Sequence, residues 1–271
     1  MLCEPIPIES RPAHAPAPGL RQAEALAAEE LLAQAFAHWG SGLVLCTALQ
    51  AEGIVLLDLC RRIFPAVRVI TLDTGRLPEA THAFLSEVER FFGLRIETYF
   101  PDADELRRLA DRQGGNGFRA ARQERELCCH VRKVRPWQAV LQGRYGPAPA
   151  AWISGLRREQ SPERRHTPKL QPDPQAEGVW KLAPLADWNA AQVEAYTRAR
   201  NLPRHPYYQL GYAGIGCEPC TRALAPGESE RDGRWWWERG SKECGLHLEA
   251  RPERDIRLED LLETRGRARV R

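Results

Sequence analysis

Strand-like segments alternate with helix-like segments through the first half of this chain, and this alternation constrains the fold more than any other feature. The predicted strands are short apolar runs at residues 43–46, 67–72, 94–99 and 151–154. Segments 52–63 and 78–92 are predicted helices, and Pro78 suits a first helical turn. This order predicts an α/β fold with a doubly wound, mainly parallel sheet.

The segments that follow the first, second and fourth strands are the expected walls of a pocket, because doubly wound sheets bind ligands beyond the carboxyl ends of their strands. After the second strand, the backbone amides near Thr74 and Gly75 are suited to cradle a nucleotide, and Arg76 to meet a phosphate. Arg157 leaves the fourth strand in the same way. Each of these residues alone is weak evidence, because surface arginines are usually only solvated.

The rest of the chain adds a few elements to this core. Residues 1–19 are rich in Pro and Ala and predict a mobile leader, whereas residues 20–39 predict an amphipathic helix. Residues 161–178 contain four prolines and predict a mobile loop. A strand at 180–183 and a helix at 190–200 follow.

Composition and charge restrict the class of protein. The chain is 43% hydrophobic and 28% charged, as soluble enzymes are, and its net charge of +3 does not by itself indicate nucleic-acid binding. It has no apolar run long enough to span a bilayer and no apolar core of a signal peptide. We therefore expect a cytoplasmic protein without a membrane or nucleic-acid partner. In that reducing compartment, grouped cysteines are more often metal ligands or redox catalysts than disulfides.

Two cysteine pairs are the strongest chemical signal in the sequence. Cys128 and Cys129 are adjacent, and Cys217 and Cys220 form the second pair. Four thiolates in two local pairs can complete the shell of a metal ion or a cluster. Zinc is the main competitor, but structural zinc sites usually space each pair by two or more residues. A cubane iron–sulfur cluster has four separate iron corners, so the adjacent pair favours iron–sulfur over zinc and over four unrelated buried thiols.

Cations and a further cysteine surround these pairs in the sequence. Lys133 lies four residues after Cys129 in a predicted helix, where its ammonium would offset cluster charge or meet an anionic substrate. The alternative is a solvated basic face, and His130 is expected to be a polar neighbour.

Cys244 stands alone between a lysine and a histidine that favour its thiolate, which suits a nucleophile; an inert exposed cysteine is the alternative.

A second group of basic residues precedes three consecutive tryptophans. Arg231 and Arg234 are suited to forked contacts with phosphate or sulfate oxygens. The tryptophans at 235–237 can stack on a base, although core packing is the more usual role for such residues.

With these motifs the sequence resembles the assimilatory adenylyl-sulfate reductases, relatives of the phosphoadenylyl-sulfate reductases. The matching segments are LDTGR, CCHVRKVRP, WISGLRREQSP, PLADWNAAQVEAY, GYAGIGCEPCTRALAPGESERDGRWWWE and KECGLH. They extend over most of the chain, from about residue 43 to residue 247.

The resemblance implies a fold of the adenine-nucleotide α-hydrolase-like type, with an N-terminal helix and a C-terminal catalytic segment. We divide the chain into a leader at 1–19, the α/β domain at 20–240, and the catalytic-cysteine segment and tail at 241–271; the tail after His247 is longer than the family needs. The implied ligands of a 4Fe–4S cluster are Cys128, Cys129, Cys217 and Cys220. The implied nucleophile is Cys244, and the implied substrate contacts are Lys133, Arg157, Arg231 and Arg234.

The family's chemistry is the reduction of adenylyl sulfate to sulfite and AMP through a cysteine S-sulfonate. The implied partners are thioredoxin or a similar reductant and further copies of the chain in a homo-oligomer, and the implied pathway is sulfate assimilation toward cysteine. One departure lies at the first strand–helix turn, where relatives carry more hydroxyl side chains. Here Thr47 keeps one hydroxyl for a phosphate, while Ala48 supplies none.

Three other functions remain open at the level of sequence. Reduction of the 3′-phosphorylated substrate needs a further basic contact, and the four cluster cysteines go mainly with the unphosphorylated substrate in this family. A non-catalytic iron–sulfur or zinc regulator that binds nucleic acid leaves Cys244 without a role. An ATP-using RNA-thiolating enzyme usually carries a Ser-Gly-Gly phosphate turn, which Thr47-Ala48-Leu49 does not reproduce.

Overall fold

A six-stranded sheet organises the computed structural model, which describes residues 18–240, 242–243 and 245–247. The strands are β1 (Leu43–Cys46), β2 (Arg68–Leu72), β3 (Glu97–Tyr99), β4 (Ala151–Ile153), β5 (Leu170–Pro172) and β6 (Trp180–Leu182). Their order in the sheet is β3-β2-β1-β4-β6-β5, and every neighbouring pair is parallel except β5 with β6. The predicted mainly parallel sheet is confirmed.

Helices cover both faces of this sheet. They are α1 (Ala28–Trp39), α2 (Ala51–Ile63), α3 (Glu79–Phe92), α4 (Ala103–Gln113), α5 (Arg122–Cys129), α6 (Arg135–Leu141) and α7 (Ala190–Ala199). Leu43 and Leu45 of β1 pack into a core with α1 and α2, whereas Val44 packs into a second core with Trp137 of α6. Successive strand residues point to opposite faces, so two apolar faces require two covering layers. This burial pattern is the physical basis of the doubly wound fold.

Two predictions about local structure are wrong. The predicted loop at 161–178 contains β5, whose Leu170 pairs with Leu182 of β6. Pro172 is compatible with this strand because β5 is at the edge of the sheet, where one side needs no ladder hydrogen bond. The helix predicted at 20–39 is two elements, a 3₁₀ segment Pro18–Ala25 and then α1. The predicted leader at residues 1–17 lies outside the described residues.

A π-helical turn, His130–Val134, joins α5 to α6 immediately after Cys129. The sequence predicts an ordinary helix here, and the structure shows continuous helical backbone with a wider turn. Such turns are rare and occur frequently at functional sites. In the described part of the chain, no helix has the length and apolar character needed to cross a membrane.

Candidate active site

The turn between β1 and α2 is tightly built. The Thr47 amide donates to the Ile70 carbonyl at 2.9 Å, and the Thr47 hydroxyl accepts from the Leu49 amide at 3.0 Å. Leu49 has a φ of 57°, a left-handed conformation that costs a side-chain-bearing residue free energy. A Cβ at Gly53 would lie 2.1 Å from the Thr47 hydroxyl oxygen, so any larger residue there would displace that hydroxyl. The structure therefore fixes the hydroxyl of Thr47 at the carboxyl end of β1.

A cavity opens at the carboxyl ends of β1, β2 and β4. Thr47 and Thr74 line it from two of the segments that the sequence identifies as pocket walls, and Ser154 lines it from the end of the fourth predicted strand. Four cations also line this cavity, which are Lys133, Arg164, Arg231 and Arg234. A concave site that combines hydroxyls and cations is suited to a nucleotide with anionic groups.

The Arg234 side chain is held rigidly in the wall of this cavity. Its guanidinium donates to the Thr221 hydroxyl at 2.7 Å and lies 4.8 Å from the ring centroid of Trp235. A Cβ at Gly216 would come within 1.8 Å of the guanidinium, so the arginine lies directly against backbone. Because these contacts restrict its rotamers, little side-chain entropy remains to be lost when an anion binds.

Three residues that the sequence predicts as substrate contacts do not line the cavity. Arg157 is buried, and its guanidinium is held by Glu52 at 2.7 Å, Glu230 at 2.8 Å and Glu159 at 3.2 Å. Arg76 donates to the Gly115 carbonyl and stacks over Phe118, with 5.1 Å to the ring centroid. Gly75 has a φ of 67°, and its amide donates to Asp73. In this structure Arg157 supports the wall through carboxylates; its contact with substrate, like those of Gly75 and Arg76, stays a prediction.

Sequence reasoning missed several cavity residues, among them Arg164, Glu52 and Glu230. Arg164 lies in the segment predicted to be a loop, and its only sequence signal is a run of charged residues. Burial raises the pKa of Glu230, although Arg157 beside it acts in the opposite direction. The cavity thus presents carboxylates as well as cations, and the carboxylates limit how much negative charge a ligand can carry into it.

The structure brings the four paired cysteines together. Cys128, Cys129, Cys217 and Cys220 are all buried and belong to one packed cluster with Trp235. Burial raises the pKa of Cys220 to about 11, while Arg234 and Lys133 act in the opposite direction. Burial also raises the pKa of Cys128, against the effect of Arg132. The two pairs come from α5 and from the segment after Ile215, 88 or more residues apart in the chain.

Four buried thiols from two segments are a ligand set that suits a metal centre. Among the described residues, no three Cys, His, Asp or Glu side chains are grouped closely enough to ligate a single ion. A cluster with several irons does not require its sulfur ligands to converge on one point. The buried Nε1 atoms of Trp235 and Trp237 lack a hydrogen-bond partner within the described residues, so both remain available as donors to an inorganic sulfide.

Cys244 itself lies outside the described residues, but its neighbours in the chain are described. Glu243 is buried and contacts Arg164 and Arg231 of the cavity wall. On the other side, the Gly245 carbonyl accepts from Gln175 Nε2 at 2.6 Å, and Leu246 lines the cavity. The chain immediately before and after position 244 is therefore held at the rim of the cavity.

Comparison with known proteins agrees with this geometry. Residues 42–223 match the phosphoadenosine phosphosulfate reductase domain. The chain is 44% identical to adenosine 5′-phosphosulfate reductase of Allochromatium vinosum, over 82% of this chain and 84% of that protein. It is 39% identical to the probable chloroplastic 5′-adenylylsulfate reductase 1 of Oryza sativa, over 80% of this chain and 46% of that protein.

Solved structures confirm the predicted fold class. The phosphoadenylyl-sulfate reductase of Candida auris, in a phosphate complex, superposes with a TM-score of 0.61 at 24% identity, over 74% of this chain and 93% of that one. The FMN adenylyltransferase of Candida glabrata superposes with a TM-score of 0.52 at 18% identity, over 97% of this chain and 86% of that one. At these identities the likeness shows the fold alone.

Proposed function

This chain belongs to the phosphoadenosine phosphosulfate reductase family, and we propose that it reduces adenylyl sulfate (adenosine 5′-phosphosulfate) to sulfite and AMP. The observation that carries this proposal is the position of the described neighbours of Cys244. Glu243 and Leu246 lie at the rim of a cavity that combines strand-end hydroxyls with four cations. Curated relatives of similar length bear the name of this activity.

Binding of the substrate uses both the hydroxyls and the cations of the cavity. Thr47 and Thr74 line the cavity at the strand ends and face the nucleotide, whereas the Gly75 amide donates to Asp73 and the Arg76 amide to Thr74. Lys133, Arg231 and Arg234 neutralise the phosphate and sulfate. Arg157 lies behind the wall and holds the Glu52 and Glu230 carboxylates, and Arg76 is held by the Gly115 carbonyl. Held by the cavity cations, the sulfate sulfur is presented to the rim where the chain carries Cys244.

The proposed reaction proceeds in two transfers. The Cys244 thiolate attacks the sulfate sulfur, the bond from sulfur to the phosphate oxygen breaks, and AMP leaves with the electron pair. Cys244 then carries an S-sulfonate. A thiolate of thioredoxin attacks the Cys244 sulfur and displaces sulfite. Thioredoxin and Cys244 are then joined by a mixed disulfide. The second thioredoxin thiol resolves it, so that Cys244 is regenerated and the oxidised product is the thioredoxin disulfide.

We propose that Cys128, Cys129, Cys217 and Cys220 hold a 4Fe–4S cluster. When bound, the cluster supplies structural rigidity and an electrostatic field without net electron transfer. Arg132 and Arg234 supply positive charge beside the thiolates, and Lys133 stands between the cysteines and the cavity. Iron and acid-labile sulfide assays on anaerobically purified protein test this assignment, and zinc without sulfide would contradict it.

The cavity's carboxylates favour adenylyl sulfate over its 3′-phosphorylated form. Glu52 and Glu230 both line the cavity, and a further phosphate would bring two negative charges into a site that already contains two carboxylates.

The proposal also covers a cytoplasmic location, a role in sulfate assimilation toward cysteine, and a homo-oligomeric assembly. It divides the chain into a leader at 1–19, an α/β domain at 20–240 and a catalytic segment with its tail at 241–271.

Mass spectrometry of reductant-free protein mixed with adenylyl sulfate tests the mechanism directly. We expect one sulfonate adduct, on the peptide that contains Cys244. Cys46→Ser is the matched control, because Cys46 also lines the cavity but burial raises the pKa of its thiol to about 12. This control is expected to form the adduct and to turn over normally. A Cys244→Ser variant with full turnover would sink the scheme.

A further inference from the structure

Glu243 makes the most extensive ion pair at the rim of the cavity. Its carboxylate accepts from Arg164 Nε at 2.8 Å and from Arg164 Nη2 at 2.9 Å, a forked arrangement. Arg231 Nη2 lies 3.2 Å from the same carboxylate. The side chain of Glu243 is only 4% exposed and that of Arg164 only 9%. Bidentate, desolvated pairs of this kind fix geometry far better than exposed pairs do.

The two arginines reach Glu243 from separate parts of the chain. Arg164 ends the 3₁₀ turn Pro162–Arg164, and Arg231 precedes the tryptophan run. Both arginines line the cavity, and Arg231 also donates to the carbonyl of Lys242. Arg164 additionally donates to Gln160, which itself donates to Glu52 at 3.0 Å. These cavity arginines and the segment before position 244 therefore form one continuous polar network.

The peptide bonds to Glu243 and Gly245 limit where the backbone of residue 244 can lie. Its Cα lies one peptide step, about 3.8 Å, from the Cα atoms of Glu243 and Gly245. The Gly245 carbonyl is held by Gln175, and a Cβ at Gly245 would lie 2.9 Å from a methyl group of Val134. Of the two neighbours, Glu243 is the one connected to the cations of the cavity.

We propose that Glu243 is a positioning residue, which delivers Cys244 to the substrate by tying the preceding backbone to Arg164 and Arg231. This inference rests on the proposed function, in which Cys244 is the nucleophile. Arg164 and Arg231 also line the cavity. The same two cations therefore contact the anionic substrate and hold the segment that carries the nucleophile. The carboxylate acts through the backbone and touches neither substrate nor sulfur. Its loss therefore lowers the rate of the sulfur transfer and leaves nucleotide binding in place.

The test compares Glu243→Gln with Glu97→Gln in the full chain carrying its cofactor. Gln keeps the shape of the side chain but removes the charge that holds two arginines. Glu97 is the matched control, because it makes a forked pair with Arg68 at 2.7 and 2.8 Å at the opposite end of β2. We expect kcat of Glu243→Gln to fall about 10- to 100-fold, as misplacement of a reacting group by about 1 Å does. The KM and the AMP dissociation constant are expected to stay close to native, whereas the unfolding midpoint is expected to fall, because the variant breaks a buried ion pair.

Further variants keep this test decisive. Glu243→Asp retains the charge on a shorter side chain and is expected to recover part of kcat; if Glu243→Gln does not fold, the aspartate variant carries the same comparison. Native kcat in Glu243→Gln, with an inactive Cys244→Ser, overturns the inference and leaves the proposed function standing. A loss of AMP affinity as large as the loss of kcat overturns it in favour of a purely structural role. Turnover by Cys244→Ser overturns the proposed function instead.

Discussion

The hydroxyl of Thr74 lies 3.2 Å from the sulfur of Cys217. Thr74 stands at the carboxyl end of β2 and lines the cavity, whereas Cys217 belongs to the cysteine cluster. The same hydroxyl accepts from the Arg76 amide at 3.2 Å. One buried side chain thus joins the wall that faces the nucleotide to the residues proposed to hold the cofactor.

Thr74→Val removes this contact and keeps the shape of the side chain. Hydrogen bonds to ligand sulfurs stabilise the reduced form of a cluster. We therefore expect a lower reduction potential in the variant, measured by spectroelectrochemistry on the iron-loaded protein. Thr197→Val is the control, because the Thr197 hydroxyl donates only to the Val193 carbonyl within its own helix. Identical potentials in the native protein and both variants would contradict a bond between Thr74 and a cluster ligand.

Arg157→Gln is expected to destabilise the fold strongly. Arg157 is buried among carboxylates, so its loss leaves Glu52 and Glu230 without their cation. Breaking a buried pair in this way costs about 3–5 kcal/mol of unfolding free energy. Arg68→Gln breaks a more exposed forked pair, which is worth about 1 kcal/mol or less. Urea denaturation of both variants measures the difference, and similar small losses would show that the Arg157 network is not a structural support.

Removal of a cavity carboxylate is expected to weaken discrimination against the 3′-phosphorylated substrate. For Glu230→Gln, the ratio of kcat/KM for adenylyl sulfate to kcat/KM for the 3′-phosphorylated nucleotide should fall by about tenfold. Removing one carboxylate removes part of the repulsion between like charges in a partly buried site. Glu159→Gln is the matched control, because Glu159 pairs with the same Arg157 but does not line the cavity. The prediction fails if both variants change the ratio equally.

His205 gives the fold a defined sensitivity to acid. It is buried, its Nδ1 accepts from the Tyr207 amide at 3.2 Å, and Nε2 lies 2.9 Å from the Thr81 hydroxyl. Burial lowers its pKa from 6.5 to about 4. Below pH 6.5 the unfolded chain binds a proton that the folded chain does not, so this contribution is complete above pH 6.5 and is lost as the pH falls toward 4.

The expected loss from His205 over that interval is roughly 3 kcal/mol, at about 1.4 kcal/mol per pH unit. Urea unfolding of the native chain and of His205→Gln between pH 7.5 and 4.5 isolates this residue, because other acid-sensitive groups are common to both. The variant should lose less stability over the interval. If the unfolding free energies of the native chain and of His205→Gln depend on pH in parallel, His205 has the same pKa in the folded and the unfolded chain, which contradicts the prediction.

The regular part of the fold is predictable because short-range patterns determine it. The strand LVLC at 43–46 is apolar on both faces, which is possible only for a strand covered on both sides. Because Thr47 and Thr74 follow neighbouring strands, their position in one cavity can be predicted without knowing the tertiary contacts. The cysteine pairs are identifiable for a similar reason, since their spacing is itself the signal.

Other features depend on contacts that no local pattern records. Arg164 and Glu243 are 79 residues apart, and each looks like an ordinary surface charge in the sequence. The strand Leu170–Pro172 forms only because β6 offers a free edge, which overrides the preference of a proline-rich segment for a loop. Arg157 has the sequence setting of a substrate contact, but three carboxylates from separate segments hold its guanidinium.

The π-helical turn His130–Val134 lets this segment hold one residue more than a regular α-helical turn would. Because the additional residue lies within the same full turn, the helix beyond it keeps its direction and its faces. Trp137 of α6 therefore still faces the cavity, while Lys133 lies in the widened turn itself. Deleting one residue here would restore regular helix without turning α6 away, so relatives that are one residue shorter between Cys129 and Trp137 are expected to keep the same fold.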